Sequence, residues 1–156
     1  MKLSANFSLD QLCISRDHPD LLDSNFKQAQ TPLYLGHAKI LCDTVLEPLL
    51  AIFPAGYDIH SAFRGPALNA AVGGSPTSQH CQFLAVDLVP KGYAGRIPLA
   101  FAKIMAWGLE PQKPRFRQLL SEAGNIHIGC AMGNGNDGEV GAWDGKKQVW
   151  FKGGLS

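Results

Sequence analysis

The sequence predicts an α+β fold: N-terminal helices packed on a small, mainly antiparallel sheet. Apolar residues recur at helical spacing over 33–53 and again over 97–109, whereas alternating and short apolar runs dominate beyond residue 113. Prolines and glycines punctuate these segments without forming a linker, and no internal repeat or low-complexity stretch is present. Residues 1–156 therefore read as one domain.

Ser8 with Gln11 forms a capping-box pattern that opens a short first helix, and Thr31-Pro32 supplies a cap and a first-turn proline for a longer one. In that longer segment Leu33, His37, Ile40, Leu41, Val45, Leu49 and Ile52 share a face, so it is expected to be the main core helix. After the turn at 54–58, residues 59–64 alternate as a strand does. Residues 65–74 read as a short helix closed by two glycines. The loop 75–80 leads to a strand around Ala85 to Val89, and 97–109 reads as a second amphipathic helix. A pair of strands is expected over 116–124 and 125–132. A hairpin is expected about Asp144-Gly145.

Composition narrows the function classes. The hydrophobic share of 46% is ordinary for a protein with a real core, and no run of eighteen apolar residues could span a membrane. The first ten residues lack the apolar middle of a signal peptide, so synthesis in a cytoplasm is expected. The net charge of +1 is too small for a nucleic-acid binder. Residues 1–90 hold 5 basic and 8 acidic groups against 9 and 5 afterwards, the basic excess including 113–117, which reads as a solvated face or a contact for an anionic polymer. Cys13, Cys42, Cys81 and Cys130 form no CxxC pair, which argues against a zinc ribbon or a disulfide framework, and they are expected to be reduced.

The run SPTSQHCQFLAVDLVP, 75–90, places a carboxylate in an apolar strand. Burying an unpaired carboxylate costs several kcal/mol, so Asp87 needs a cationic partner, and a metal ion is one. His80, Asp87 and His127 offer two nitrogens and an oxygen from three segments, the donor set of a catalytic zinc that keeps a fourth position for water. A His-x6-Asp spacing is common by chance, however, and a histidine in an apolar strand is often a hydrogen-bonded core residue.

The longer run SAFRGPALNAAVGGSPTSQHCQFLAVDL resembles the zinc D-alanyl-D-alanine carboxypeptidase and L-alanyl-D-glutamate endopeptidase group, the LAS peptidases, especially their short and phage-encoded members. Their pattern is Ser-Gly-Tyr-Arg-Ser-Pro, an Asn, Ser-x-His, six residues and Asp, then a distant Trp-x-His strand. Ser61, Arg64, Pro66, Asn69, Ser78, His80, Asp87 and His127 stand at matching places, and the likeness extends over most of 6–130. The resemblance implies a hedgehog-like fold and a zinc ion on His80, Asp87 and His127. It implies a monomeric peptidase acting on bacterial peptidoglycan peptides, either as an endolysin or as part of a phage particle. Arg64 and Ser78 would lie beside the metal, Arg64 holding the substrate or stabilising the oxyanion. Arg64 could equally form a structural salt bridge, and Ser78 could be a capping hydroxyl.

Glu122 matches a glutamate of the short phage members and is the candidate general base; otherwise it is an exposed strand-end charge. Phe83 replaces a small residue of the pattern and Asn125 replaces its tryptophan, which raises the question of pocket shape. These departures also leave open a non-catalytic zinc module with a structural or wall-binding role. GNGNDG at 133–138 satisfies GxGxxG but has too little chain after it for a dinucleotide fold, and is read as a turn. Cys81 is set aside as a nucleophile because neighbours on an extended strand face opposite ways. His18, His37 and His60 lack a motif.

Overall fold

Ser8 starts the first helix, α1 (Leu9–Leu12), and Gln11 Oε1 accepts its backbone N–H at 2.8 Å, closing the capping box. These details come from a computed structural model, which describes residues 1–108, 116–131, 139–143, 146 and 148–151. A 3-10 turn (Pro19–Leu21) leads into α2 (Leu22–Ala29). The next helix, α3 (Pro32–Leu41), is capped by Thr31, whose Oγ1 accepts the Tyr34 N–H at 3.3 Å.

The expected core helix is present but not uniform. Beyond α3 the chain widens into a π-turn (Cys42–Leu46), in which the Glu47 N–H reaches Cys42 O, before α4 (Glu47–Leu49). Pro48 accounts for this, because its ring clashes with a carbonyl four residues back and it offers no N–H. Past the proline the Leu50 N–H turns to Glu47 O, and the Leu46 carbonyl accepts a hydrogen bond from the Tyr57 hydroxyl instead. Ala38, Leu41, Cys42, Val45, Leu46 and Leu49 are buried, but Leu33, expected on the same face, is 62% exposed. Positions four apart precess by about 40° per step on a helix, so Leu33 drifts off the core stripe.

The sheet has six strands in the order β1-β2-β4-β3-β5-β6: β1 (Tyr57–Ser61), β2 (Ala85–Pro90), β3 (Phe116–Ser121), β4 (Ile126–Cys130), β5 (Glu139–Trp143) and β6 (Gln148–Phe151). The short helix α5 (Pro66–Ala71) and the amphipathic helix α6 (Ile97–Gly108) complete the architecture. The β3–β4 pair and the β5–β6 hairpin match expectation; β5 pairs β3 in parallel, which alternation alone did not indicate. Trp143 and Gln148 pair across the hairpin, whose Asp144-Gly145 turn lies outside the described residues, as does the 133–138 turn. Of the basic run 113–117, Phe116 and Arg117 open β3 and the rest lies outside.

One apolar core joins the two layers. Leu41, Val45, Leu46 and Leu49 of the helical rod share it with Val86 and Leu88 of β2, Ile126 and Ile128 of β4, and Ala100 and Ile104 of α6. Among the described residues no helix is long and apolar enough to cross a membrane.

Candidate active site

The register of the sheet brings the site together. Asp87 on β2 lies opposite Ser61 on β1 and opposite His127 on β4, and His127 lies opposite Leu120 on β3. Residues directly opposite each other share a sheet face, so Asp87 and His127 project side by side. His80 reaches the same point from a 3-10 turn (Gln79–Gln82), capped by Ser78 Oγ accepting the His80 N–H at 3.3 Å.

The three donors converge closely, their ligand atoms all lying within 4.8 Å of one another. His127 Nδ1 is 2.8 Å from Asp87 Oδ1, while His80 Nε2 is 3.2 Å from Asp87 Oδ1 and 3.3 Å from His127 Nδ1. His80 Nδ1 lies 2.7 Å from Ala62 O, and a carbonyl can only accept, so the ring proton sits on Nδ1 and the Nε2 lone pair faces the cluster. Zinc–nitrogen bonds of 2.0–2.1 Å in a tetrahedron set donor–donor edges of about 3.3–3.4 Å, and the two contacts of His80 Nε2 approach that length. The donor set, the fixed tautomer and the spacing thus fit a zinc ion.

Burial pushes the His80 pKa down, which favours the neutral ring that a metal requires. Burial of Asp87 favours its neutral form, but the imidazoles beside it, His127 first, outweigh this and hold its carboxyl well below the usual range. Within the chain His127 Nδ1 is the hydrogen-bonding partner of the buried carboxylate, and the His80 lone pair faces the same point, which suits a cation between them.

Arg64 lies just beyond β1 and is tied to the His80 turn at two points. Its N–H donates to His80 O at 3.1 Å, and its Nη2 donates to Ser78 Oγ at 3.4 Å. Its Nε is buried without a partner, and among the described residues no carboxylate pairs with it, so the salt-bridge alternative has no support there. Ser78 caps the turn, one of the two readings given for it, and also touches Arg64.

Glu122 occupies the four-residue loop between β3 and β4, partly buried, with its N–H donating to Asn125 O at 2.9 Å. Burial, then the negative charge of Asp87, raises its carboxyl pKa; His127, an Asn125 hydrogen bond and Arg64 act the other way. Its electrostatic neighbours are therefore the groups of the cluster.

The structure corrects two expectations. Cys81 does not lie on an extended strand: it shares the 3-10 turn with His80, where consecutive side chains diverge by about 120°. Burial raises its thiol pKa, with Arg64 opposing. Phe83 does not shape a pocket, because its ring is fully buried in the core with its centroid 5.0 Å from that of Phe63. Its backbone is left-handed, φ +60°, and closes the turn that carries His80.

Sequence reasoning missed Ala62, Asn25 and Gln79, and marked Asn125 only as a departure from the family pattern. Asn25 on α2 is buried, accepts the Gly65 N–H at 2.7 Å and donates to Phe63 O at 3.1 Å, fixing the backbone on both sides of Arg64. A Cβ at Gly129 would meet Gln79 Oε1 at 2.0 Å, so the Gln79 amide occupies the space that glycine leaves on β4. A polar residue on a helix or a turn carries no periodic signal that marks such a role.

Two imidazoles and a carboxylate, from two central strands and the turn beside them, make up the donor set of a metal-dependent hydrolase. The chain belongs to the peptidase M15 family, whose model matches residues 18–107, more than half of its length. A search of curated proteins found no match. The family match includes Arg64, Ser78, His80 and Asp87; His127, which β4 brings to the cluster, and Glu122, on the β3–β4 loop, lie beyond it.

Proposed function

We propose that the protein is a zinc metallopeptidase that hydrolyses the peptide stems or cross-links of bacterial peptidoglycan, as a lysis enzyme or a phage-particle component, within one domain spanning 1–156. The convergence of His80, Asp87 and His127 within 4.8 Å, in a chain of the peptidase M15 family, carries this reading. The three residues would hold the ion, which when bound supplies Lewis acidity that polarises a carbonyl and lowers the pKa of water.

The chain's own groups supply the remainder. Ala62 O keeps the proton of His80 on Nδ1 and so keeps Nε2 available. The Glu122 carboxylate takes a proton from the attacking water and passes it to the leaving nitrogen, a role its partly buried place beside Asp87 and His127 supports. The Arg64 guanidinium, steadied by Ser78, offers paired donors to the substrate carbonyl or carboxylate.

The test is peptide release from purified cell wall, with mass spectrometry of the fragments and zinc analysis of the protein. Chelation should abolish release and added zinc restore it, whereas iodoacetamide should leave it intact. His80→Ala and His127→Ala should lose zinc and activity together, since each removes one of three donors. Wild-type zinc content in both variants would reject the ligand assignment. A zinc-loaded wild-type protein that cuts no wall peptide would instead favour the structural or wall-binding module.

A further inference from the structure

Two buried polar atoms beside the cluster have no hydrogen-bond partner among the described residues: Nε2 of His127 and Oε1 of Gln79. Buried polar atoms are paired as a rule, so each such exception calls for a reason. Their positions are related through β4. His127 and Gly129 are alternate residues of that strand, so they share a face and stand about 7 Å apart. Gln79 Oε1 lies 2.0 Å from where a Gly129 Cβ would stand, so its amide rests on that same face, one side-chain position along from the imidazole. Arg64 Nε is another buried atom without a partner, but its segment follows β1, and β2 lies between β1 and β4.

The chemistry of the two atoms is complementary. His127 Nδ1 faces the cluster, 2.8 Å from Asp87 Oδ1 and 3.3 Å from His80 Nε2, so it is the nitrogen that reaches an ion there. A nitrogen that holds a metal carries no proton, and the single proton of a neutral imidazole then sits on the other nitrogen, where it needs an acceptor. An amide oxygen can only accept. We propose that Gln79 is a positioning residue for the donor cluster, its Oε1 accepting the Nε2–H of His127 when Nδ1 of that ring holds the ion. His80 shows the same arrangement, with Ala62 O 2.7 Å from its outer nitrogen. Gly129 belongs to the device, because a side chain there would displace the amide. The proposal rests on the zinc-ligand part of the proposed function, and it is measured without turnover.

The experiment measures zinc affinity by competition with a chromophoric chelator, and follows the histidine ring protons of the zinc-loaded, isotope-labelled protein by NMR. In the wild type the His127 proton should sit on Nε2 and exchange slowly with water. Gln79→Leu should bind zinc about ten- to hundredfold more weakly, the usual effect of removing such an outer partner, and its Nε2–H should exchange faster. Gly129→Ala should lose affinity over the same range with Gln79 itself intact, so it carries the test if Gln79→Leu does not fold. Gln79→Glu keeps an acceptor oxygen and should recover most of the lost affinity, which a role in packing alone would not give. Wild-type zinc affinity in either Gln79→Leu or Gly129→Ala, or a wild-type His127 whose proton stays on Nδ1 with zinc bound, overturns the proposal. A wild type that takes up no zinc overturns this proposal and the ligand assignment together. If the variants lose affinity as expected but the wild type cuts no wall peptide, the positioning role stands and the peptidase reading fails.

Discussion

Asn25 makes a demanding test of how the site is held, because it does not touch the donor cluster. The residue is 2% exposed, and its carboxamide joins Phe63 O at 3.1 Å and Gly65 N at 2.7 Å, the two peptide groups that flank Arg64. Asn25→Ala leaves a buried carbonyl and a buried N–H without partners, and each such loss costs about 1–3 kcal/mol. Together they should lower stability by roughly 2–6 kcal/mol, against the ~5–15 kcal/mol of a typical domain, so the variant should still fold. The Arg64 backbone should then loosen. A misplacement of about 1 Å can cost about a hundredfold, so KM for a wall peptide should rise about tenfold or more while zinc content stays at the wild-type level. Leu49→Ala, which deletes a fully buried side chain of the helical rod, is the control for instability alone: it should cost ~2–5 kcal/mol and leave KM unchanged. Urea denaturation, zinc analysis and steady-state kinetics read the three quantities. A stability loss below about 1 kcal/mol, or a KM that stays at the wild-type value, would refute the assignment of Asn25 as the residue that positions Arg64.

Other residues give further expected outcomes. Glu122→Gln should retain zinc while turnover falls roughly 10²- to 10⁴-fold, because the amide keeps the shape but not the basicity; wall hydrolysis at the wild-type rate would move the base elsewhere. Phe83→Ala should cost ~3–5 kcal/mol for its fully buried ring, and Phe83→Gly no more than that, because glycine removes about 1 kcal/mol of left-handed strain at φ +60°. A glycine variant clearly less stable than the alanine one in urea would contradict this. Glu47 accepts hydrogen bonds from Ser4 Oγ, Asn6 N and Asn6 Nδ2, each 2.7 Å long. Partial burial opposes its ionisation, but the Asn6 and Ser4 bonds prevail and its pKa is lowered. A depressed folded pKa contributes stability that is present above the unfolded value and lost as pH falls through the folded one. Glu47→Gln should therefore show a flatter acid limb of stability below about pH 5 than the wild type, as measured by thermal melting.

What the sequence revealed was local chemistry, and what it hid was pairing. Ser8 with Gln11 and Thr31 with Pro32 are legible because a cap is made within one turn of chain. The early helices and late strands are legible from apolar period, and His80 with Asp87 from a compact spacing. The π-turn before Pro48 and the parallel β3–β5 pair depend on neighbours distant in sequence, which periodicity does not report. His127 stood out only through a family pattern, since a histidine in an apolar strand looks the same whether it serves a core or a ligand set. Its register opposite Asp87 supplies the missing fact. Asn25 and Ala62 were hidden altogether, one acting through its amide on a remote loop and the other through a carbonyl that every residue has.

The strand order has a consequence for motion. Asp87 and His127 lie on β2 and β4, interior strands hydrogen-bonded on both sides, so separating them requires the sheet to open. Their amides belong with the slow hydrogen-exchange class, whose opening approaches global unfolding. Arg64, Ser78 and the 14–17 loop lie outside the strands and can relax without breaking a ladder. The molecule thus divides its rigidity: the donor end is fixed by the most cooperative part of the fold, while the guanidinium end is held by a few separate hydrogen bonds with Asn25, Ser78 and His80.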